Sequence, residues 1–158
     1  MKKLLLDIQL VPSSSWLNNV RHILTQSQWD IIKKSVYSEA WYVCQICGGV
    51  GPNHPIENHE IWSYDDETLI QKLEGMIALC PNCHSVKHIG LAQLNGKFDM
   101  CLQHFMKVNS ISKKKALRYI KDCFKQWEER SKKNWTLDIS YLKKYGLDTD
   151  KLMKENNK

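Results

Sequence analysis

Four cysteines with metal-binding spacing carry the strongest chemical signal in this sequence. They form two Cys-x-x-Cys pairs, called knuckles here: Cys44 with Cys47, and Cys80 with Cys83. Each knuckle can offer two thiolates from one tight turn, and Zn²⁺ prefers four such ligands in a tetrahedron. Two knuckles in one short chain are more typical of a metal site than of reduced or redox-active cysteines. The spacing therefore predicts a structural zinc ion bound by all four sulfurs.

A second group of potential ligands follows the second knuckle. His84 and His88 are four residues apart, so a helix that begins at the knuckle would carry both imidazoles on one face. Lys87 would lie near that face, where it could meet a phosphate. Between the knuckles, a short predicted strand carries His59 and Glu60 and leads into an acidic loop. Together these residues offer metal ligands and a base, which phosphodiester hydrolysis requires.

The remaining histidines show no ligand spacing. His54 is expected in a loop, and His22 and His104 are expected in helical segments. For His88, a position beside the knuckle without a ligand role is the alternative. Cys101 and Cys123 fall on apolar faces of predicted helices, where a single cysteine usually behaves as a small hydrophobic residue. We therefore expect both of these cysteines in the core.

The region from Cys44 to His88 resembles the zinc-stapled branch of the HNH (His-Me finger) endonucleases. The resemblance depends on the two knuckles, the strand with His59, and the run Leu-Cys-Pro-Asn-Cys-His-Ser-Val-Lys-His at 79–88. The flanking segments 40–43 and 62–66 also look like an uncharacterised subfamily of bacterial HNH proteins. This resemblance implies a ββα-metal fold, in which two strands and a helix surround one catalytic divalent ion and zinc joins their ends.

The resemblance also implies a role for each histidine. His59 would be the general base that takes a proton from water. His84 would bind the catalytic ion, and His88 would bind the same ion or the phosphate. The ion, Mg²⁺ or another divalent metal, would stabilise the departing 3′-oxygen. The expected substrate is DNA.

Two positions depart from the family pattern. The residue before the base is usually an Asp or His ligand, but here it is Asn58. A shift of the alignment by one residue would make His59 the ligand and Glu60 the base, and this alternative stays open. The middle Asn of the family, expected about five residues before Cys80, is replaced by Gly75. The group that orients the base must therefore come from elsewhere in the chain.

Helical patterns flank the metal-binding region on both sides. Before it, a serine cap at 13–15 and a second cap at Ser27 each precede apolar residues at helical spacing, which predicts two short helices. After it, a stripe from Phe98 to Val108 predicts one helix. A second helix capped by Ser112 would follow, with an inner face of Ala116, Leu117, Ile120, Phe124 and Trp127. A last short helix is expected over 139–145, and the polar tail after Leu147 is expected to fray.

These patterns predict an α+β fold within one compact domain. Residues 1–39 would form an N-terminal helical segment, 40–92 the zinc-stapled ββα-metal (HNH) core, and 93–158 a C-terminal basic helical arm. The core region is rich in Gly, Pro, Asn, His and Cys and shows no long helical period. A bound metal would have to hold it together.

Basic charge is concentrated in the C-terminal arm. The whole chain has a net charge of +6, but residues 113–158 contain 14 Lys and Arg against 7 Asp and Glu. Such a surplus favours a polyanionic partner, and Lys113, Lys114 and Lys115 are the expected phosphate contacts. The alternative is that this lysine-rich helix simply presents a solvated face.

The bulk features exclude a membrane protein. No apolar run approaches the roughly 20 residues of a membrane-spanning helix, and the N-terminus lacks a signal-peptide pattern. We therefore expect a bacterial or phage-encoded cytoplasmic protein, and the patterns favour a metal-dependent DNA endonuclease. The alternative is a non-catalytic zinc module that binds nucleic acid or a protein partner through its basic helices.

Overall fold

A computed structural model describes residues 3–51 and 55–158 and confirms the α+β class. His54, expected in a loop, lies outside the described residues. The elements in chain order are α1 (Val20–Ile23), α2 (Gln26–Glu39), β1 (Glu57–Asp65), β2 (Ile70–Leu79), α3 (Pro81–Lys87), α4 (Ile89–Leu94), α5 (Phe98–Asn109), α6 (Lys113–Ser131), β3 (Thr136–Asp138) and α7 (Thr149–Asn156), with 3₁₀ helices at Ser13–Ser15 and Ser140–Tyr145.

A three-stranded sheet in the order β1-β2-β3 forms the centre of the fold. β1 and β2 form an antiparallel hairpin, and β3 adds to β2 in parallel. The carboxylate of Asp65 accepts hydrogen bonds from the backbone N–H groups of Glu67 and Thr68, which closes the hairpin turn. Since α3 begins directly after β2, the hairpin and this helix form one continuous β-β-α unit.

The sheet separates two apolar cores, because alternate residues of a strand point to opposite faces. Ile77 and Leu79 of β2 contact the core that contains the knuckle cysteines, which we call the cysteine-side core. Met76 and Ala78 contact the other core, which we call the far core. α3 to α6 pack around the cysteine-side core, while α1, α2 and α7 pack around the far core. The two faces of the hairpin therefore meet different environments.

The N-terminal segment, residues 3–12, has no regular helix or strand and lies against the cysteine-side core. Its Leu6 side chain is fully buried. The Asn109 side chain of α5 accepts from the backbone N–H of Leu6 and donates to its carbonyl oxygen. These contacts fix the segment next to α3, although its short length and mixed composition gave no sequence signal.

The N-terminal helices differ from their prediction in position. The helix predicted after the serine cap at 13–15 does not form as one unit, because Asn19 caps a new helix that begins at Val20. Trp16 and Leu17 are exposed by 60% and 75%. The cap of α2 is Thr25 rather than Ser27, and it forms a capping box with the residue three positions later.

The C-terminal helices largely confirm their patterns. α5 buries Cys101, Leu102 and Phe105, and the Ser112 side chain caps α6 as predicted. The expectation of a frayed tail is wrong, because the Asp148 side chain caps α7 and this helix buries Leu152 in the far core. The predicted helix at 139–145 is present as the 3₁₀ helix Ser140–Tyr145.

Candidate metal centres

The four knuckle cysteines form the first candidate metal centre. Their four sulfur atoms lie within 4.8 Å of one another, and the sulfurs of Cys47 and Cys80 are 3.6 Å apart. Cys44, Cys80 and Cys83 are buried, while Cys47 is exposed. Four converging sulfur donors, mostly shielded from water, match the ligand set of a structural zinc ion. The cluster can therefore bind zinc, as the spacing predicts.

Local backbone geometry explains why both knuckles converge. In the first knuckle, Gly48 has a left-handed φ of +73°, and its N–H donates to the carbonyl of Cys44. Gln45 attaches this turn to β2 through two hydrogen bonds with the backbone of Ala78. In the second knuckle, Cys80 is the N-cap of α3 and Pro81 occupies the first helical position.

Protonation of the thiols is uneven because they are packed together. The pKa of Cys44 is lowered to about 4, mainly because the Cys83 thiol donates a hydrogen bond to it. Burial raises the pKa of Cys80 to about 11. His104 also belongs to this cluster, since its Nε2 lies 3.1 Å from the Cys83 sulfur. Because metal ligation requires thiolates, metal binding here would release protons.

Three histidines form a second candidate centre on the same side of the sheet. The ring centroids of His59 and His84 are 5.3 Å apart, those of His59 and His88 are 4.9 Å apart, and those of His84 and His88 are 4.8 Å apart. One nitrogen of each ring lies within 4.8 Å of the others. His59 is 5% exposed, whereas His84 of α3 and His88, the residue that caps the end of this helix, are partly exposed. The strand and the helix thus meet as the sequence predicts.

The alternation of β1 decides which of its residues join the histidine cluster. Glu57 and His59 face α3, whereas Asn58 and Glu60 face the opposite side. The Glu60 carboxylate accepts a hydrogen bond from the Trp62 indole at 2.9 Å, and burial raises the pKa of Glu60 to about 7. The structure therefore does not bring Glu60 to the cluster, in contrast to its expected catalytic role.

Two acceptors contact ring nitrogens of the clustered histidines. The Glu57 carboxylate is hydrogen-bonded to Nδ1 of His84. The Gln9 side-chain oxygen lies 3.1 Å from Nε2 of His59. Histidines that bind metals usually donate their second ring N–H to such an acceptor. Neither residue was predicted. Strand alternation could have identified Glu57, but Gln9 is 50 residues from His59 and gives no local signal.

His59 and His88 are both held in the neutral form. Burial, followed by the nearby His88 and His84, lowers the pKa of His59 to about 2. Burial is also the main cause that lowers the pKa of His88 to about 4. At neutral pH each ring therefore keeps a lone pair, which can bind a metal ion or accept a proton.

Lys87 differs from its prediction as a phosphate contact. Its side chain is only 5% exposed and forms an ion pair with Asp7 of the N-terminal segment. The Lys87 carbonyl accepts the backbone N–H of Gln9 at 3.2 Å. A buried lysine needs such a partner, because an unpaired buried charge is costly. Lys87 thus fixes the N-terminal segment beside the histidine cluster.

The other predicted phosphate contacts lie at the surface. Lys113, Lys114 and Lys115 are exposed in the first turn of α6. Lys115 also lines a groove of about 690 Å³ together with Gln9 and Ile77. Ile77 pairs with His59 across the hairpin, but none of the three clustered histidines lines this groove.

No family model, curated protein or solved structure matches this chain. The resemblance to HNH endonucleases therefore depends on the sequence motif alone. Within the described residues, no helix is both long and apolar enough to cross a lipid bilayer.

Proposed function

We propose that this chain is a metal-dependent endonuclease of the HNH type that hydrolyses the phosphodiester bonds of DNA. The observation that supports this function is the cluster of His59, His84 and His88. It is separate from the four thiols, and a purely structural zinc site does not require it. The cysteines are free thiols rather than disulfides, which fits the reducing conditions of the cytoplasm, where we propose that the protein acts.

In this proposal His84 and His88 hold the divalent ion, and His59 takes a proton from the attacking water. When bound, the ion would neutralise charge on the phosphate and on the departing 3′-oxygen. The Glu57 carboxylate would orient His84 through its Nδ1, which leaves the opposite nitrogen to bind the ion. Burial keeps the His59 ring neutral, but the same lowered pKa makes the ring a weak base until a nearby phosphate stabilises its protonated form.

The donor set favours a particular class of ion. Neutral imidazoles suit borderline transition metals such as Zn²⁺, Co²⁺ and Ni²⁺, whereas Mg²⁺ prefers carboxylate and water oxygens. The three imidazole nitrogens also give His59 a second candidate role, as a third ligand, as in catalytic zinc sites with three histidines and one water. Metal binding to a His59 variant separates the two roles.

Selective chelation tests the proposed activity. Mild EDTA treatment should stop plasmid cleavage while the protein keeps its thiolate-bound zinc, because four thiolates bind zinc more tightly than three imidazoles. Adding back Co²⁺ or Ni²⁺ should restore cleavage faster than Mg²⁺ at equal concentration. Zinc content before and after treatment serves as the control. Cleavage that survives EDTA would contradict the proposal, and DNA binding without cleavage under any ion would favour the non-catalytic module.

The lysines of α6 are proposed to bind the DNA backbone. Cations at a helix N-terminus oppose the helix dipole, so helix stability does not explain their position. Replacing Lys113, Lys114 and Lys115 with Glu should weaken binding equally for different sequences. The slope of log affinity against log salt should fall in magnitude by about 0.9 for each lost phosphate contact. Fluorescence anisotropy at several salt concentrations measures this slope.

A charge-matched variant provides the control for that measurement. Lys151, Lys154 and Lys158 are equally exposed but lie at the other end of the arm. Their replacement with Glu changes the net charge by the same amount and should affect the slope less. Equal effects of the two triple variants would mean that α6 only contributes to overall charge.

A further inference from the structure

One contact to the histidine cluster comes from outside the HNH-like segment. The side-chain oxygen of Gln9 lies 3.1 Å from Nε2 of His59. The His59 side chain is only 5% exposed, so water has little access to its ring. In β2, the position where the family pattern expects an orienting Asn is Gly75, which has no side chain to reach His59. Gln9 therefore provides a side-chain contact to His59 that residue 75 of the hairpin does not provide.

The N-terminal segment holds Gln9 firmly in this place. The backbone N–H of Gln9 donates to the carbonyl of Lys87, which lies between His84 and His88 in the chain. Two residues earlier, Asp7 forms an ion pair with the Lys87 side chain. Ile8, between them, is buried in the cysteine-side core. The segment is thus attached to the same helix that supplies His84 and His88.

We propose that Gln9 is a positioning residue that selects the ring tautomer of His59. In the observed orientation the Gln9 side-chain oxygen faces Nε2 and can only accept a hydrogen bond, so this orientation requires the imidazole proton on Nε2. The lone pair is then on Nδ1, the ring nitrogen left to bind a metal ion or a proton. This inference rests on the proposed function only for its effect on cleavage. The tautomer itself is a property of the folded, zinc-loaded protein.

Nitrogen NMR of the zinc-loaded protein at neutral pH tests the tautomer directly. In the wild type, His59 should be protonated on Nε2. Gln9→Met keeps a side chain of similar length but removes the acceptor, so both tautomers should then be populated. Gln9→Glu restores an acceptor and should restore the Nε2–H form. Gln126→Ala, in an exposed glutamine of α6, is the matched control and should leave the His59 signals unchanged.

Cleavage kinetics give the second measurement. Loss of a residue that orients a metal-site histidine typically costs about 10–100-fold in activity. Gln9→Met should lower kcat by that factor with little change in KM for DNA, and Gln9→Glu should recover most of it. An unchanged His59 tautomer in Gln9→Met would overturn the inference, even if kcat falls. A wild type that shows the Nε2–H form but never cleaves would instead overturn the proposed function and leave the Gln9 contact intact.

Discussion

Replacing His59 with Ala should lower the rate of DNA cleavage by about 10²–10⁴-fold, the usual contribution of a positioned general base. DNA affinity should change little, because the exposed lysines of α6 lie outside the cluster. The ring is buried and contacts His84, His88 and Gln9, so its removal leaves the cluster without the proposed base. Plasmid nicking under single-turnover conditions, together with anisotropy, measures both effects.

Metal binding to the same variant distinguishes the two candidate roles of His59. If the ring is the base, Co²⁺ affinity should be nearly unchanged, whereas a ligand role predicts a clear loss of affinity. His22→Ala is the matched control, since that histidine is exposed in α1 and hydrogen-bonded only locally to Asn19. Glu60→Gln should cleave at close to the wild-type rate. A large loss in Glu60→Gln with an active His59→Ala would reverse the assignment.

Loss of the thiolate zinc should unfold the protein. Structural zinc sites contribute about 10–16 kcal/mol, comparable to the whole net stability of a domain, roughly 5–15 kcal/mol. Cys83 is completely buried at the start of α3, between the other sulfurs and His104. Cys83→Ser should therefore abolish stoichiometric zinc binding and the cooperative thermal transition. Zinc analysis and circular dichroism measure these outcomes.

A cysteine outside the cluster supplies the comparison. Cys123 lies on α6, packed against the cysteine-side core but away from the knuckles. Cys123→Ala should keep one zinc ion per chain and melt close to the wild type. If Cys83→Ser also kept its zinc and melted normally, the four sulfurs would not be a structural metal site.

Short-range patterns predicted the parts of this molecule that depend on neighbouring residues. The knuckle spacing identified the sulfur cluster, because two thiols separated by two residues almost define their own turn. The apolar stripe of α5 and the Ser112 cap of α6 were equally local signals. The spacing of His84 and His88 placed both rings on one side of α3.

Features that depend on distant residues were not predictable in this way. The sequence suggested that Lys87 is an exposed cation. Its side chain is instead buried and forms an ion pair with Asp7 of the N-terminal segment, 80 residues earlier. The Gln9 contact depends on the same long-range packing. Glu57 and Glu60 were different, because the alternation of a strand could have assigned them to opposite faces. The motif instead suggested that the adjacent residues His59 and Glu60 belong to the same site.

The turn that joins β1 to β2 divides the donors of both candidate centres between two halves of the chain. A break after the exposed Glu67 would give an N-terminal fragment with one knuckle, Gln9, Glu57 and His59. The C-terminal fragment would contain the other knuckle, His84 and His88. Neither fragment has all four thiols or all three clustered histidines. A split version of this protein would therefore depend on zinc to reassociate, and its activity would belong only to the reassembled pair.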